Sequence, residues 1–115
     1  NALGVRAPVG GDLLVDVEST PVITPNGDNI NEKLAIFFKL REVTADRPIL
    51  VQIFDLTGRR VAELPAENAR SGEFSREWDG LDADGQLVAP GIYFYKLSLD
   101  LENAENKIGF FSVAY

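Results

Sequence analysis

The sequence predicts an all-β domain, a sandwich of seven antiparallel strands, and three observations predict it. From Asp12 onward, short segments alternate apolar and polar residues, the period of strands with one face in a core. Turn residues interrupt these segments about every eight to twelve positions, the spacing of sandwich folds. No 3.6-residue apolar period persists, and Val, Ile, Phe and Tyr dominate the alternating stretches.

The elements follow in order. Asn1 to Gly11 mixes Gly, Pro and small residues and reads as a linker or tail from a parent protein, with the sandwich occupying 12–115. Asp12–Glu18 places Leu13, Val15 and Val17 on one face, with Asp16 and Glu18 opposite. Lys33–Leu40 aligns Leu34, Ile36, Phe38 and Leu40 against Ala35, Phe37 and Lys39. Ile49–Asp55 is apolar on both faces except Gln52, which fits a central strand. Thr57-Gly58 turns the chain into the short return strand Arg60–Leu64. Ala66–Arg70 is the one helix candidate, and it is very short. Glu73–Trp78 sets Phe74 and Trp78 on one parity, but Arg76 shares it, so this strand is read as lying near an edge or as irregular. Ile92–Leu101 lines Tyr93, Tyr95, Leu97, Leu99 and Leu101 on one face and Lys96, Ser98 and Asp100 on the other. After the polar turn at Asn103–Asn106, Lys107–Tyr115 closes the sheet.

Composition narrows the function. The 115 residues suffice for one core, and no apolar run reaches the ~20 residues of a membrane helix, so membrane insertion is excluded. The chain has no cysteine and no histidine, which removes disulfides, thiol catalysis, cysteine-ligated zinc and the usual nucleophile–histidine sites. A net charge of −7 is the wrong sign for a nucleic-acid partner. Methionine is also absent, so Asn1 is expected to follow from processing or excision of a longer chain.

Three segments carry a family resemblance. Thr24-Pro25-Asn26-Gly27-Asp28-Asn29-Ile30-Asn31 resembles the opening of bacterial C-terminal Ig-like modules of the gliding-motility and type IX secretion kind. Val51 to Val61 is similar to their second signature, a strand, a Gly turn and a basic return strand. Trp78-Asp79-Gly80-Leu81-Asp82-Ala83-Asp84-Gly85, followed by Val88 to Tyr95, is similar to the Ig-like domain of flagellar hook-capping proteins. The resemblance runs from about Val22 to Tyr115. It implies an immunoglobulin-like or fibronectin III-like sandwich without enzymatic activity, part of an extracellular or cell-surface bacterial protein. The module would act as a structural cap or spacer against a neighbouring domain of its parent. Some relatives are sorting signals for secretion or cell-surface machinery. Phe110 to Tyr115 departs from that pattern by lacking closing lysines, which counts against the sorting role and leaves a structural or anchoring role standing.

Two loops and one face are candidate sites. Asn26, Asp28, Asn31 and Glu32 offer hard oxygen ligands around a glycine and form a calcium candidate, the alternative being a turn with side chains bonded to backbone amides. Asp79, Asp82 and Asp84 pose the same choice, with Asp84-Gly85 suited to a tight hairpin. Paired acids also evoke glycoside hydrolysis, but that chemistry needs a cleft, which a sandwich this small does not offer. Phe37, Phe54 and Phe94 lie opposite the predicted core faces and could bind sugar rings or a neighbouring domain. The expected structural anchors are Gly58, Trp78, Gly85, Gly91 and Tyr93; Pro90-Gly91-Ile92-Tyr93 resembles a tyrosine corner, the alternative being that Tyr93 simply packs.

Overall fold

A computed structural model of the protein describes residues 13–25, 32–99 and 105–114. Among them are eight strands: β1 (Leu14–Ser19), β2 (Val22–Ile23), β3 (Leu34–Leu40), β4 (Arg47–Asp55), β5 (Arg60–Ala69), β6 (Gly72–Trp78), β7 (Gly91–Leu99) and β8 (Glu105–Val113). They form two sheets, β1-β3-β6 and β2-β8-β7-β4-β5. All pairings are antiparallel except the short β2–β8 ladder, which is parallel and adds an eighth strand to the seven expected. The architecture is an Ig-like sandwich.

The core follows the alternation. Leu34, Ile36, Phe38 and Leu40 of β3 are buried, facing Ile49, Val51 and Ile53 of β4 and Tyr93, Tyr95, Leu97 and Leu99 of β7. At ~25 cal/mol per Å² of apolar surface removed from water, this shared slab is the main favourable term in folding. Trp78 closes one end, edge-on to Phe111 at 5.8 Å between ring centroids.

Three expectations are corrected. In β1 it is Leu14, rather than Leu13 and Val15, that is fully buried. Asp16 takes φ 53°, and the register to β3 shifts between Val15 and Glu18. This bulge reverses the parity, so Val17 also packs against the core while Asp16 and Glu18 stay in solvent.

Ala66–Arg70 is not helical; β5 runs on through Pro65 to Ala69. Being an edge strand, β5 tolerates the missing N–H of Pro65. Strand β6, which carries Arg76, lies at an edge and pairs with β3 in unbroken register. The Arg76 guanidinium crosses to β5 and β4, donating to the carbonyls of Pro65 (2.6 Å) and Ile49 (3.4 Å) and lying 3.4 Å from Glu67 Oε1. The register of β4 on β5 slips between Ile49 and Val51, beside those carbonyls.

Ser98, read as a solvent-facing residue of β7, is fully buried and its hydroxyl has no hydrogen-bond partner. Leu101, Asp100 and Tyr115 lie outside the described residues, as do the linker 1–11 and part of the turn at Asn103–Asn106.

Candidate functional site

At one end of the sandwich two tight turns lie side by side. In the β4–β5 turn, Asp55 accepts hydrogen bonds from the Thr57 hydroxyl (2.5 Å) and from the N–H groups of Thr57 (3.0 Å) and Arg59 (3.1 Å). Those bonds, the Thr57 hydroxyl foremost, hold its carboxyl below the usual carboxylate range. Gly58 takes φ 89°, which an L side chain rarely adopts. In the second turn, Asp82 accepts from the N–H groups of Asp84 (2.9 Å) and Gln86 (3.0 Å), with Gly85 at φ 79°. Asp79 accepts from the N–H of Leu81 (3.0 Å). Asp55, Arg59, Asp82 and Asp84 line a polar cleft of about 370 Å³ between the two turns.

The anchors stand as follows. Trp78 is buried and donates its indole N–H to the Leu81 carbonyl at 2.9 Å. Tyr93 donates its hydroxyl to the Ala89 carbonyl at 2.6 Å, four residues upstream, while its ring stacks on Phe111. Gly91 opens β7. Two contacts carried no sequence signal. Tyr95 lies across Gly109 so closely that a Cβ there would meet its ring at 2.3 Å. Glu105 accepts from the N–H groups of Leu13 (3.0 Å) and Leu14 (2.7 Å), fastening the start of β8 to the start of β1.

Of the calcium candidates, Asn26, Asp28 and Asn31 lie outside the described residues, and Glu32 sits just before β3. Among the described residues no group of three or more acidic side chains is arranged to hold a metal ion.

The outward aromatics separate. Phe37 is 53% exposed on the outer face of the three-stranded sheet, in an open groove of about 560 Å³ with Asp16, Glu18, Lys39, Glu73 and Ser75. Phe54 and Phe94 lie on the outer face of the five-stranded sheet and are joined there by Phe110. The register places Phe54 opposite Phe94 and Phe94 opposite Phe110, so the three cross adjacent strands in one row. Ring centroids are 5.1 Å apart for the first pair, inclined by 15°, and 5.7 Å for the second, inclined by 49°. Exposed Val22, Ile92 and Ile108 surround the row, making an apolar face with Phe110 63% exposed at its margin. The strands bring to this face Arg60, Glu63 and Lys96, one acid against two bases, on a chain of net charge −7. The Phe54 and Phe94 faces cover each other, so the row offers ring edges to a partner rather than the flat faces on which sugars stack.

Residues 17–113 match the family pattern of the CHU_C type IX secretion signal domain. No curated protein sequence matches the chain. Among solved structures, the fold is similar to part of dimeric latent PorU from Porphyromonas gingivalis, with TM-score 0.65 and 20% identity over 96% of this chain. It is also similar to part of PorZ, a surface component of the type IX secretion system of the same organism, with TM-score 0.54 and 23% identity over 86% of the chain. FlgD from P. aeruginosa is similar over 70% of this chain and 59% of its own, with TM-score 0.52 and 20% identity. The matched portions are only 10% of the PorU chain and 11% of the PorZ chain.

Proposed function

Since this chain belongs to the family of CHU_C type IX secretion signal domains, whose role is the export of secreted bacterial proteins, we propose that it directs a parent protein outside the cell and remains there as its folded cap. The match over residues 17–113 carries this reading. It supports export sorting more directly than a purely structural role. A sorting signal must be read by other proteins, and the Phe54–Phe94–Phe110 face supports that. A row of apolar ring edges with little local charge suits a protein surface.

The test is a fusion. A reporter carrying this domain, expressed in a bacterium with a type IX system, should reach the surface or medium, and the reporter alone should stay inside. Phe110→Glu, at an exposed site, should leave the melting temperature of the isolated domain within a few degrees and reduce export several-fold. Equal export with and without the domain would overturn the sorting reading. Normal export of Phe110→Glu would leave sorting in place and remove the aromatic face from it.

A further inference from the structure

We propose that the open edge of β8 pairs with β8 of a second copy of this chain, antiparallel, joining two five-stranded sheets into one. Three of the sheet edges are blunted against such pairing. β1 carries the Asp16 bulge, β5 carries Pro65 and two slips in register, and β6 turns Arg76 inward. β8 has neither bulge nor proline, and it pairs with β7 in unbroken register from Glu105 to Val113. On its other side β2 covers only Ser112 and Val113.

The backbone directions on that side are fixed. The N–H groups of Ser112 and Ala114 donate to Pro21 and Ile23, so residues of the same parity, Asn106, Ile108 and Phe110, aim their N–H and C=O at the open edge. The side chains of Ile108 and Phe110 are also among the most exposed apolar groups of the molecule. One stretch therefore presents both unpaired backbone and bare apolar surface, the combination that recruits another strand.

The stretch is complementary to itself. β2 bounds it after Phe111, and the Glu105 clasp on β1 bounds it at the start, which leaves Ile108 at its midpoint. In an antiparallel pair centred there, Ile108 faces its own symmetry mate, Phe110 faces Asn106, and Lys107 faces Gly109. No charge stands directly opposite a like charge, and within the strip Glu105 balances Lys107, so two molecules of net charge −7 touch along a stretch with no net charge. The second copy's Lys107 comes to lie over the Tyr95 ring, which fills the place of a Gly109 side chain, at the mouth of a groove of about 600 Å³ between β1 and β8 lined by Asp16 and by this chain's own Lys107. Seven paired residues span only ~24 Å, less than a standard interface, so the dimer is weak and depends on concentration.

Sedimentation of the 115-residue chain, from low micromolar to near-millimolar, tests this. The mass should climb from 12.6 kDa toward twice that value. Ile108→Lys sets two lysines opposite each other and should hold the chain at monomer mass where wild type is half associated. Phe110→Lys serves the same purpose should Ile108→Lys melt early. Ile92→Lys is the control, since Ile92 is also more than half exposed on the same face but lies on interior strand β7; it should associate like wild type. Amide exchange at Ile108 and Phe110 should slow as concentration rises. A wild-type monomer throughout overturns the proposal. So does loss of association in Ile92→Lys, which would mean that the molecules stack by their faces.

Discussion

Asp55 and Asp82 occupy the same position in two copies of one turn. Each carboxylate accepts from the N–H groups two and four residues ahead, and each turn places a glycine of positive φ three residues after the aspartate. The sequences Asp55-Leu56-Thr57-Gly58-Arg59 and Asp82-Ala83-Asp84-Gly85-Gln86 show why the geometry repeats. An acceptor that short reaches only its own turn, and glycine admits the backbone bend that closes it.

The β4–β5 turn should weaken in acid. The carboxyl of Asp55 is held below its ordinary value in the folded chain, so its contribution is complete above the usual carboxylate range. It is lost as pH falls through that range and is gone below the folded value. Thermal unfolding followed from neutral to acidic pH should show wild type losing more of its midpoint than Asp55→Asn over that interval.

Asp82→Ala should cost about 1 kcal/mol, the net worth of two exposed hydrogen bonds whose amides turn to water, by the same amount in millimolar calcium and in chelator. A cost that appears only with calcium present would make the Asp79–Asp84 loop a cation site.

Trp78→Ala should cost about 3–5 kcal/mol, since it empties a core position packed on Phe111. Trp78→Phe keeps much of the volume but leaves the Leu81 carbonyl without its donor, and should fall in between. Urea unfolding of the three proteins gives the ranking.

Tyr93→Phe should lose about 1–2 kcal/mol, because it removes only the hydroxyl that reaches Ala89 and keeps the ring on Phe111. A neutral result would mean that Tyr93 acts by packing alone.

Gly109→Ala should destabilise by about 1–3 kcal/mol, since its methyl meets the Tyr95 ring. Combining it with Tyr95→Leu should cost less than the sum of the two single changes, the signature of a shared space.

Strands with unbroken alternation were legible in the sequence. Leu34 to Leu40 gives the buried face of β3 residue by residue, and Trp78 and Tyr93 declare themselves by size and place. Features set by pairing were not. The bulge at Asp16 depends on how β1 meets β3, and Val22-Ile23 is too short to have a period. Pro65 and the polar residues after it read as the end of a strand, because nothing local reveals that β5 lies at an edge. The outward parity of Phe54 and Phe94 could be read, but their alignment with Phe110 is a matter of register between strands distant in sequence. Of the calcium candidate at Asn26–Glu32, every member except Glu32 lies outside the described residues.

The parallel run of β2 on β8 gives the domain a direction under load. β1 starts beside Glu105, Ser19 lies at Tyr95, and Val22 pairs with Ser112, so the chain enters at one end of β8 and leaves at the other. A pull between residues 13 and 114 therefore drags the first strands lengthwise along their partners. The bonds of Ser112 to Pro21, Ala114 to Ile23 and the β1–β3 ladder resist that shear together, whereas a hairpin pulled at its open end yields one bond at a time. A passenger tugged through an export channel, or anchored in flowing medium, would strain this domain along its most resistant axis.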